Sequence, residues 1–199
     1  MVSNSKNTEQ IVSAAMALFK TNGYKSVLVK DICKKAGVSH SSFYTVFSGK
    51  DDILIYILKG YKDDYEGTMV RLLNAESELE KLWVLYAKYI SLAEDFGCGL
   101  TAAMFALELE GKFSLLDSVN AYVERYNSWF VKFVRACQSS GVIRNSGATE
   151  ELVPMGVKLA LFTVYEWASK GGMYSIWDKA FQEMERFYDV APSCRGLRP

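Results

Sequence analysis

Apolar residues recur every three or four positions along most of this 199-residue chain, and they do not alternate with polar residues over the length of a strand. This spacing gathers apolar side chains on one side of a helix, so its persistence predicts an all-α fold. Glycines interrupt the pattern at intervals and mark the expected helix ends. We expect about nine helices.

The first third of the chain predicts four helices, which span 7–22, 29–36, 40–46 and 48 to about 73. The first is expected to be capped by Asn7 or Thr8, and Ser39 is a good cap for the short third helix. The second helix lacks an obvious cap, and Ser26 is the remaining candidate.

The rest of the chain predicts five more helices, at about 77–95, 98–110, 114–139, 150–170 and 175–189. A proline is tolerated only in the first turn of a helix, so Pro154 indicates a start nearer Val153 than Thr149. The last eight residues, PSCRGLRP, are expected to form a loose tail.

The net charge of zero hides an asymmetry along the chain. Residues 1–50 hold seven lysines and two acidic residues, a net charge of +5, whereas residues 51–199 hold sixteen basic and twenty-one acidic residues, a net charge of −5. A basic segment beside an acidic one predicts a polyanionic partner at one end only, although an ordinary solvated face gives the same count.

The cysteines lie far apart at Cys33, Cys98, Cys137 and Cys194, and His40 is the only histidine. The sequence therefore contains neither a disulfide framework nor the spacing of metal ligands, and no cofactor is expected. A thiol sensor at Cys98 or Cys137 is a minor alternative, because reactivity requires an exposed, electropositive setting.

No apolar run approaches the roughly 18–20 uncharged residues that a membrane span needs. The first ten residues, MVSNSKNTEQ, also lack the apolar centre of a secretion signal. We therefore expect a cytoplasmic protein with no membrane partner.

A short turn containing Gly37 joins the predicted helices 29–36 and 40–46. Two short helices joined in this way can place one helix in the major groove of DNA, although an ordinary helical hairpin has the same spacing. Short polar side chains, a phenol and lysines around the second helix suit phosphates and base edges. These candidate DNA-binding residues are Lys30, Ser39, His40, Ser41, Ser42, Tyr44, Thr45 and Lys50.

The segment GYKSVLVKDICKKAGVSHSSFYTVFSGKDDIL closely resembles the DNA-binding head of the tetracycline-repressor (TetR) family of bacterial regulators. The resemblance covers about residues 8–55. It rests on short motifs in the family's order and spacing, namely Gly23-Tyr24, Asp31-Ile32, Ala36-Gly37-Val38-Ser39, Phe43-Tyr44-x-x-Phe47 and Lys50-Asp51-Asp52-Ile53-Leu54.

This resemblance implies that 40–46 is the recognition helix, with His40, Ser42 and Thr45 near bases. It implies phosphate contacts for Tyr44 and Lys50, and for the backbone N–H groups at the start of the next helix.

The chain departs from the family pattern where the second helix begins. Val27 and Leu28 stand where the family usually has a Thr followed by Thr or Ser, so a hydroxyl cap and a phosphate contact are missing. Cys33 replaces a usual alanine and Ser41 a common glycine, and both are tolerable variants.

The family plan implies a DNA-binding domain at 1–50, a sensing and dimerisation domain at 51–191, and a tail at 192–199. The last two long helices would pair with a second copy across a two-fold axis. The residues expected in that pairing are Leu159, Phe162, Val164, Trp167, Trp177, Phe181, Met184, Phe187 and Tyr188.

The same plan implies a ligand pocket inside the larger domain, and an aromatic lining suits a flat or apolar small molecule. For any one of these residues, ordinary core packing is the commoner explanation. The candidate ligand-binding residues are Tyr61, Trp83, Tyr86, Tyr89, Met104, Phe105, Tyr122, Tyr126, Trp129 and Phe162.

Together these features predict a dimeric repressor that binds a palindromic operator and is released by a small apolar or aromatic effector. An alternative is a ligand-independent regulator whose larger domain only dimerises or docks a protein. A well-formed cavity would favour the sensor, and a filled core with an exposed apolar patch would favour docking. An enzyme is disfavoured because the sequence has no histidine-based triad, glycine-rich phosphate loop or spaced metal ligands.

Overall fold

The computed structural model describes residues 2–60 and 65–199, and the side chains of residues 6–60 and 66–199. The described residues form nine α-helices and no strand beyond an isolated bridge between Ile143 and Val190, which confirms the predicted all-α fold. The helices are α1 Val2–Asn22, α2 Val29–Ala36, α3 His40–Tyr44, α4 Lys50–Gly60, α5 Tyr65–Asn74, α6 Glu78–Leu109, α7 Leu115–Ser139, α8 Thr149–Ser169 and α9 Ile176–Phe187.

The number of helices agrees with the prediction because two differences compensate. The predicted helix from 48 to about 73 corresponds to α4 and α5, and residues 61–64, where they would join, lie outside the described residues. The predicted helices 77–95 and 98–110 together form α6, which is interrupted at Gly97 by a non-helical backbone with φ 75° and ψ 163°. The glycine that marked a boundary in the sequence is therefore a kink within α6.

The chain divides into two compact units. The described part of the first unit comprises residues 2–60 and 99–115, and that of the second comprises residues 65–98 and 116–199. The chain passes from the second unit to the first within α6, directly after Cys98.

The core of the first unit comes from the apolar faces of α1 to α4. Side chains that recur at helical spacing in the sequence are buried here, which removes their apolar surface from water. They include Ile11, Ala15, Phe19, Ile32, Phe43, Ile53 and Leu54.

The helix α2 is capped by a residue that the sequence did not indicate. Leu28 has the extended backbone of a cap, and its N–H donates to the Asp31 carboxylate at 3.1 Å. The Ser26 hydroxyl instead donates to the carbonyl of Asn22 at 2.5 Å and that of Gly23 at 3.0 Å. The prediction that Ser26 caps α2 is therefore wrong. The Asp31 carboxylate satisfies the N–H of Leu28, which is the reciprocal half of a capping box, and Leu28 itself provides no side-chain cap.

Three other helix ends differ from the prediction. The helix α1 begins at Val2 rather than near Asn7. Residues 2–6 contain no glycine or proline that would prevent the helix from extending toward the N-terminus. The helix α3 ends at Tyr44, because the N–H of Val46 donates to Phe43 three residues back and tightens the last turn.

The helix α8 begins at Thr149, so the predicted start near Val153 is wrong. The N–H groups of Glu151 and Leu152 both donate to the Ala148 carbonyl, which closes the first turn before Pro154 is reached. Pro154 has no N–H to donate to the carbonyl of Glu150, four residues earlier. Both residues are exposed, so water can satisfy that carbonyl.

Aromatic side chains fill the core of the second unit. The ring of Trp83 lies 5.6 Å from that of Phe181, and the ring of Tyr86 lies 5.0 Å from that of Phe130. The hydroxyls of Tyr86 and Tyr188 are 2.5 Å apart and fully buried. Each phenol thereby gives the other a hydrogen-bond partner, which a buried polar group requires.

The residues after α9 are packed against that helix, so the expected loose tail is wrong. The carboxylate of Glu185, which is 6 % exposed, accepts from the Gly196 N–H at 2.8 Å and from the Arg198 guanidinium at 2.7 Å. The same guanidinium lies 5.0 Å from the centre of the Phe181 ring. A buried carboxylate needs such partners, which explains why the tail is fixed here.

The helix α6 is long and apolar enough, by length and composition alone, to cross a membrane. In its most apolar 18-residue stretch, 39 % is buried inside the protein, and core helices of water-soluble proteins have the same properties. The absence of a membrane partner therefore stays a prediction.

We predict that Gly156→Ala destabilises the protein. A Cβ at this position would overlap the Tyr86 hydroxyl and come within 2.9 Å of the Tyr188 hydroxyl. The phenol pair must then shift, at a cost of about 1–3 kcal/mol in the free energy of unfolding. Urea denaturation would measure this loss, with Gly99→Ala as the control, because a Cβ there meets nothing within 4 Å.

Adding Tyr86→Phe to Gly156→Ala removes the overlapping oxygen and should recover part of the lost stability. If Gly156→Ala is as stable as the wild type, the close approach of α8 to the phenols is wrong.

Candidate nucleic-acid interface

A buried aromatic anchor orients the helix α3. The ring of Phe43 is fully buried, and the Phe47 ring lies 6.2 Å from it. Ahead of α3, Gly37 takes the left-handed backbone at φ 68° that ends α2, and the Ser39 hydroxyl accepts from the Ser42 N–H at 3.1 Å. These local interactions fix the start and the rotation of α3.

The outward face of α3 carries exposed polar and aromatic side chains. They are His40, Ser41 and Tyr44, with Thr45 at the end of the helix. The His40 and Tyr44 rings are 6.4 Å apart, and Tyr44 is 57 % exposed. An imidazole, a phenol and short hydroxyls on one exposed face can reach base edges and phosphates.

Four of the predicted contact residues, Ser39, Ser41, Ser42 and Thr45, already have partners within the protein. The Ser39 hydroxyl lies 2.9 Å from that of Ser41 and 2.8 Å from that of Ser42, in addition to its capping bond. The Thr45 hydroxyl donates to the Ser42 carbonyl at 2.7 Å. Ser39 and Ser42 therefore organise the turn, while His40 and Tyr44 retain the more available polar groups.

Lys50 is directed into the protein. Its ammonium donates to the carbonyls of Tyr24, Lys25 and Val27 at 2.8, 3.2 and 3.2 Å, and lies 4.6 Å from the centre of the Tyr24 ring. An ammonium has three N–H donors, so all of them are engaged. The geometry therefore gives Lys50 a role in holding the loop between α1 and α2, and it does not support the predicted phosphate contact.

Exposed lysines lie on the two segments that precede α3, the loop after α1 and the helix α2. Besides the predicted Lys30 in the first turn of α2, they are Lys25, Lys34 and Lys35. Exposed ammonium groups attract the phosphate backbone irrespective of sequence. The positive charge counted in the sequence is thus present on the surface of the first unit.

The start of α4 differs from the simple phosphate site that was predicted. A cleft of about 350 Å³ is lined here by Ser48, Gly49, Lys50, Asp51, Asp52 and Lys112. The Asp52 carboxylate accepts from the Ser48 N–H at 2.8 Å, so the protein itself satisfies one backbone donor.

Asp51 joins two other segments at the same place. One carboxylate oxygen accepts from the Tyr24 hydroxyl at 2.5 Å, and the other accepts from the Lys112 ammonium at 2.8 Å. These two hydrogen bonds, that of Lys112 first, lower the pKa of Asp51. Burial, and then the bond to Asp51, raise the pKa of Tyr24. No local pattern indicated Lys112, which lies 61 residues from its partner.

The predicted ligand-binding residues are distributed over both units, and a common lining stays a prediction. Trp83, Tyr86, Tyr89, Tyr122 and Tyr126 are buried in the second unit, where aromatic rings pack on one another. Trp129 is 39 % and Phe162 62 % exposed. Met104 and Phe105 belong to the first unit, and Tyr61 lies outside the described residues.

The second unit has a different open space, a groove of about 510 Å³ between α7 and α8 that the sequence did not indicate. Its walls are mainly apolar and include one exposed cation, Lys158. The groove is lined by Leu116, Val119, Asn120, Val123, Glu124, Asn127, Pro154, Val157, Lys158 and Leu161.

The predicted pairing face also needs correction. Val164, Trp167, Phe181, Met184 and Tyr188 are buried within the second unit, because they form the contact between α8 and α9 and its surroundings. A buried side chain cannot also face a second copy.

Phe162 is the best exposed member of the predicted pairing face, and Leu159, Trp177 and Phe187 are half-buried. Met155 and Tyr165 lie near Phe162 on α8 and are exposed as well. They add apolar surface that the prediction missed.

Comparison with known proteins bears on the first unit most directly. Residues 11–57 match the family described as bacterial regulatory proteins, tetR family. The transcriptional regulator HbdR of Aromatoleum sp. (strain CIB) is 29 % identical over 140 residues, which cover 68 % of this chain and 59 % of HbdR. The fatty acid metabolism regulator protein of Bacillus subtilis is 30 % identical over 119 residues, covering 59 % of this chain and 60 % of that protein. The chain thus spans about three fifths of the length of these relatives.

Solved structures show the same fold. FadR from Bacillus halodurans, a fatty acid degradation regulator, has a TM-score of 0.60 at 21 % identity, covering 95 % of this chain and 96 % of that one. FadR from B. subtilis in complex with stearoyl-CoA has a TM-score of 0.59 at 24 % identity, covering 90 % and 97 %.

The helices α2 and α3, with the turn at Gly37 between them, form a helix-turn-helix whose second helix is exposed. Residues 11–57 match the tetR family of bacterial regulatory proteins, and the chain is similar over 140 residues to the transcriptional regulator HbdR.

We predict that Lys50→Met lowers the stability of the protein. The substitution leaves three carbonyls without their ammonium donor, which costs about 1–3 kcal/mol in the free energy of unfolding. Lys30→Met is the matched control, because Lys30 is exposed, and its stability should stay within about 0.5 kcal/mol of the wild type. Chemical denaturation measures both variants. If Lys50→Met is as stable as the wild type, the stabilising role is wrong and the predicted phosphate contact of Lys50 is favoured.

We also predict that the four cysteines differ in reactivity. Burial raises the pKa of the Cys137 thiol to about 12 and also raises that of Cys33, whereas Cys98 and Cys194 are half-buried. Since the thiolate is the reactive form, iodoacetamide at pH 8 should label Cys98 and Cys194 at least about tenfold faster. Peptide mass spectrometry measures the rates. Equal labelling of Cys137 would restore it as a sensor candidate.

Proposed function

We propose that this protein is a cytoplasmic, ligand-responsive transcription regulator that binds a palindromic operator as a homodimer and represses until an effector releases it. The observation that carries the proposal is the outward face of α3. It presents His40, Ser41 and Tyr44, with exposed lysines nearby on α2, and no acidic side chain lies on that helix. Such a face combines base-reading groups with a sequence-independent attraction to phosphate.

The proposed dimer is supported by the outer face of α8. Met155, Phe162 and Tyr165 are 52, 62 and 44 % exposed, and clustered apolar surface of this kind marks interaction sites. Their positions lie on one side of the helix, so a two-fold axis would bring the same side chains of two copies together.

An apolar effector of the acyl-CoA class is proposed first. The FadR of B. subtilis and that of Thermus thermophilus were solved with stearoyl-CoA and lauroyl-CoA, and a fatty acid regulator is among the relatives. In this chain, the groove between α7 and α8 offers apolar walls for an acyl chain and Lys158 for an anionic group.

A regulator without an effector is the second candidate. It is favoured by the ring-to-ring packing of Trp83, Tyr86 and Phe130 in the second unit, and by the exposed apolar face of α8. In that case the second unit serves dimerisation or docking.

The DNA-binding step is tested by selecting duplexes from a random library with the wild-type protein, then measuring affinity by fluorescence anisotropy. We expect a two-fold symmetric site. Tyr44→Ala should weaken binding to the selected site about tenfold or more and to random DNA much less. Lys34→Met should weaken both alike and reduce the salt slope by about one. Failure to enrich any sequence would overturn the proposal.

The effector step is tested with palmitoyl-CoA on the selected duplex. We expect palmitoyl-CoA to raise the melting temperature and weaken DNA binding, since an effector must prefer the released arrangement. Val123→Trp, which fills the groove, should abolish both effects, while Met173→Trp, at an exposed site elsewhere, should not. Unchanged DNA affinity at saturating palmitoyl-CoA and shorter acyl-CoAs would favour the second candidate.

A further inference from the structure

The first turn of α4 holds the loop between α1 and α2 by two independent contacts. The Lys50 ammonium binds three carbonyls of the loop, at Tyr24, Lys25 and Val27. The Tyr24 hydroxyl, on a side chain that is 9 % exposed, donates to the Asp51 carboxylate at 2.5 Å. The loop ends at Leu28, which caps α2. The position of α4 therefore determines where α2 begins.

The same carboxylate binds a residue that follows α6. Lys112 bridges Asp51 at 2.8 Å and Glu110 at 2.7 Å, so it is held from both sides. Its own N–H donates to the Leu107 carbonyl at 2.9 Å, which ties it to the last turn of α6. A displacement of that turn would carry Lys112 with it.

The helix α6 connects Lys112 with the second unit through the chain. Residues 78–98 of α6 belong to the second unit, whereas residues 99–115, with Lys112, belong to the first. Lys112 thus follows directly on a helix that begins in the unit proposed to sense the effector.

We propose that Asp51 is a positioning residue, which couples the end of α6 to the start of α2 through Lys112 on one oxygen and Tyr24 on the other. This inference rests on the proposed function as a DNA-binding regulator. Asp51 does not touch DNA in this arrangement. It sets the position of the loop and hence of Leu28 and Lys30, whose exposed side chains begin the DNA-binding helix pair.

The first test needs neither DNA nor effector. Lys112→Met removes the ion pair and retains the length of the side chain, so amide hydrogen exchange should become faster in residues 24–31. Lys81→Met is the control, because Lys81 also forms a 2.7 Å ion pair with a glutamate, but in the second unit. Lys112→Arg should restore slow exchange. Unchanged exchange in residues 24–31 in Lys112→Met would overturn the proposal.

The second test is a double-mutant cycle on the selected duplex. Lys112→Met and Tyr24→Phe should each weaken binding about two- to fivefold, as expected for an exposed ion pair and a single hydrogen bond. If both substitutions act through Asp51, the double variant should bind DNA as tightly as the single variant with the lower affinity, because contacts in one network are not additive. Full additivity would mean that Lys112 and Tyr24 act independently of each other, and would overturn the proposal.

The two tests separate the failure of this proposal from that of the proposed function. If the library yields no selected duplex, the function fails, while hydrogen exchange still tests the coupling. Circular dichroism and melting temperature establish that each variant is folded.

Discussion

The burial of Phe43 determines the geometry of the DNA-binding head. The helix α3 has only five residues, so one anchored ring is enough to fix its rotation about its own axis. With that ring inside, His40, Ser41 and Tyr44 are turned outward, and Ser39 is placed where its hydroxyl caps the helix. An apolar contact thereby determines which polar groups face a partner. The lysines on α2 lie on a helix whose position the same packed core holds.

Local signals made most of this head predictable. The periodic apolar spacing, Gly37 and Ser39 act within a few residues of their positions, so their effects can be derived from the chain itself. Lys50 and Lys112 were beyond such reasoning, because their partners are 23–26 and 61 residues away. A lysine in a basic segment has the same sequence context whether it faces DNA or a buried carbonyl.

The second unit limits prediction for a related reason. A helical spacing of aromatic residues is the same for a core, a pocket and a subunit interface. The spacing could not distinguish Tyr86, which is buried against another phenol, from Phe162, which is exposed on α8. The packed aromatic rings and the open groove between α7 and α8 emerge only once the helices are assembled.

The absence of a side chain at Gly156 links three positions that lie far apart in the chain. The backbone of α8 can approach the paired hydroxyls of Tyr86 and Tyr188 only because no Cβ stands between them. In evolutionary terms, substitutions at these three positions depend on one another: a larger residue at 156 becomes acceptable only after a hydroxyl is lost. Among descendants of this chain, the order of substitution is thereby constrained, with a tyrosine changing before the glycine.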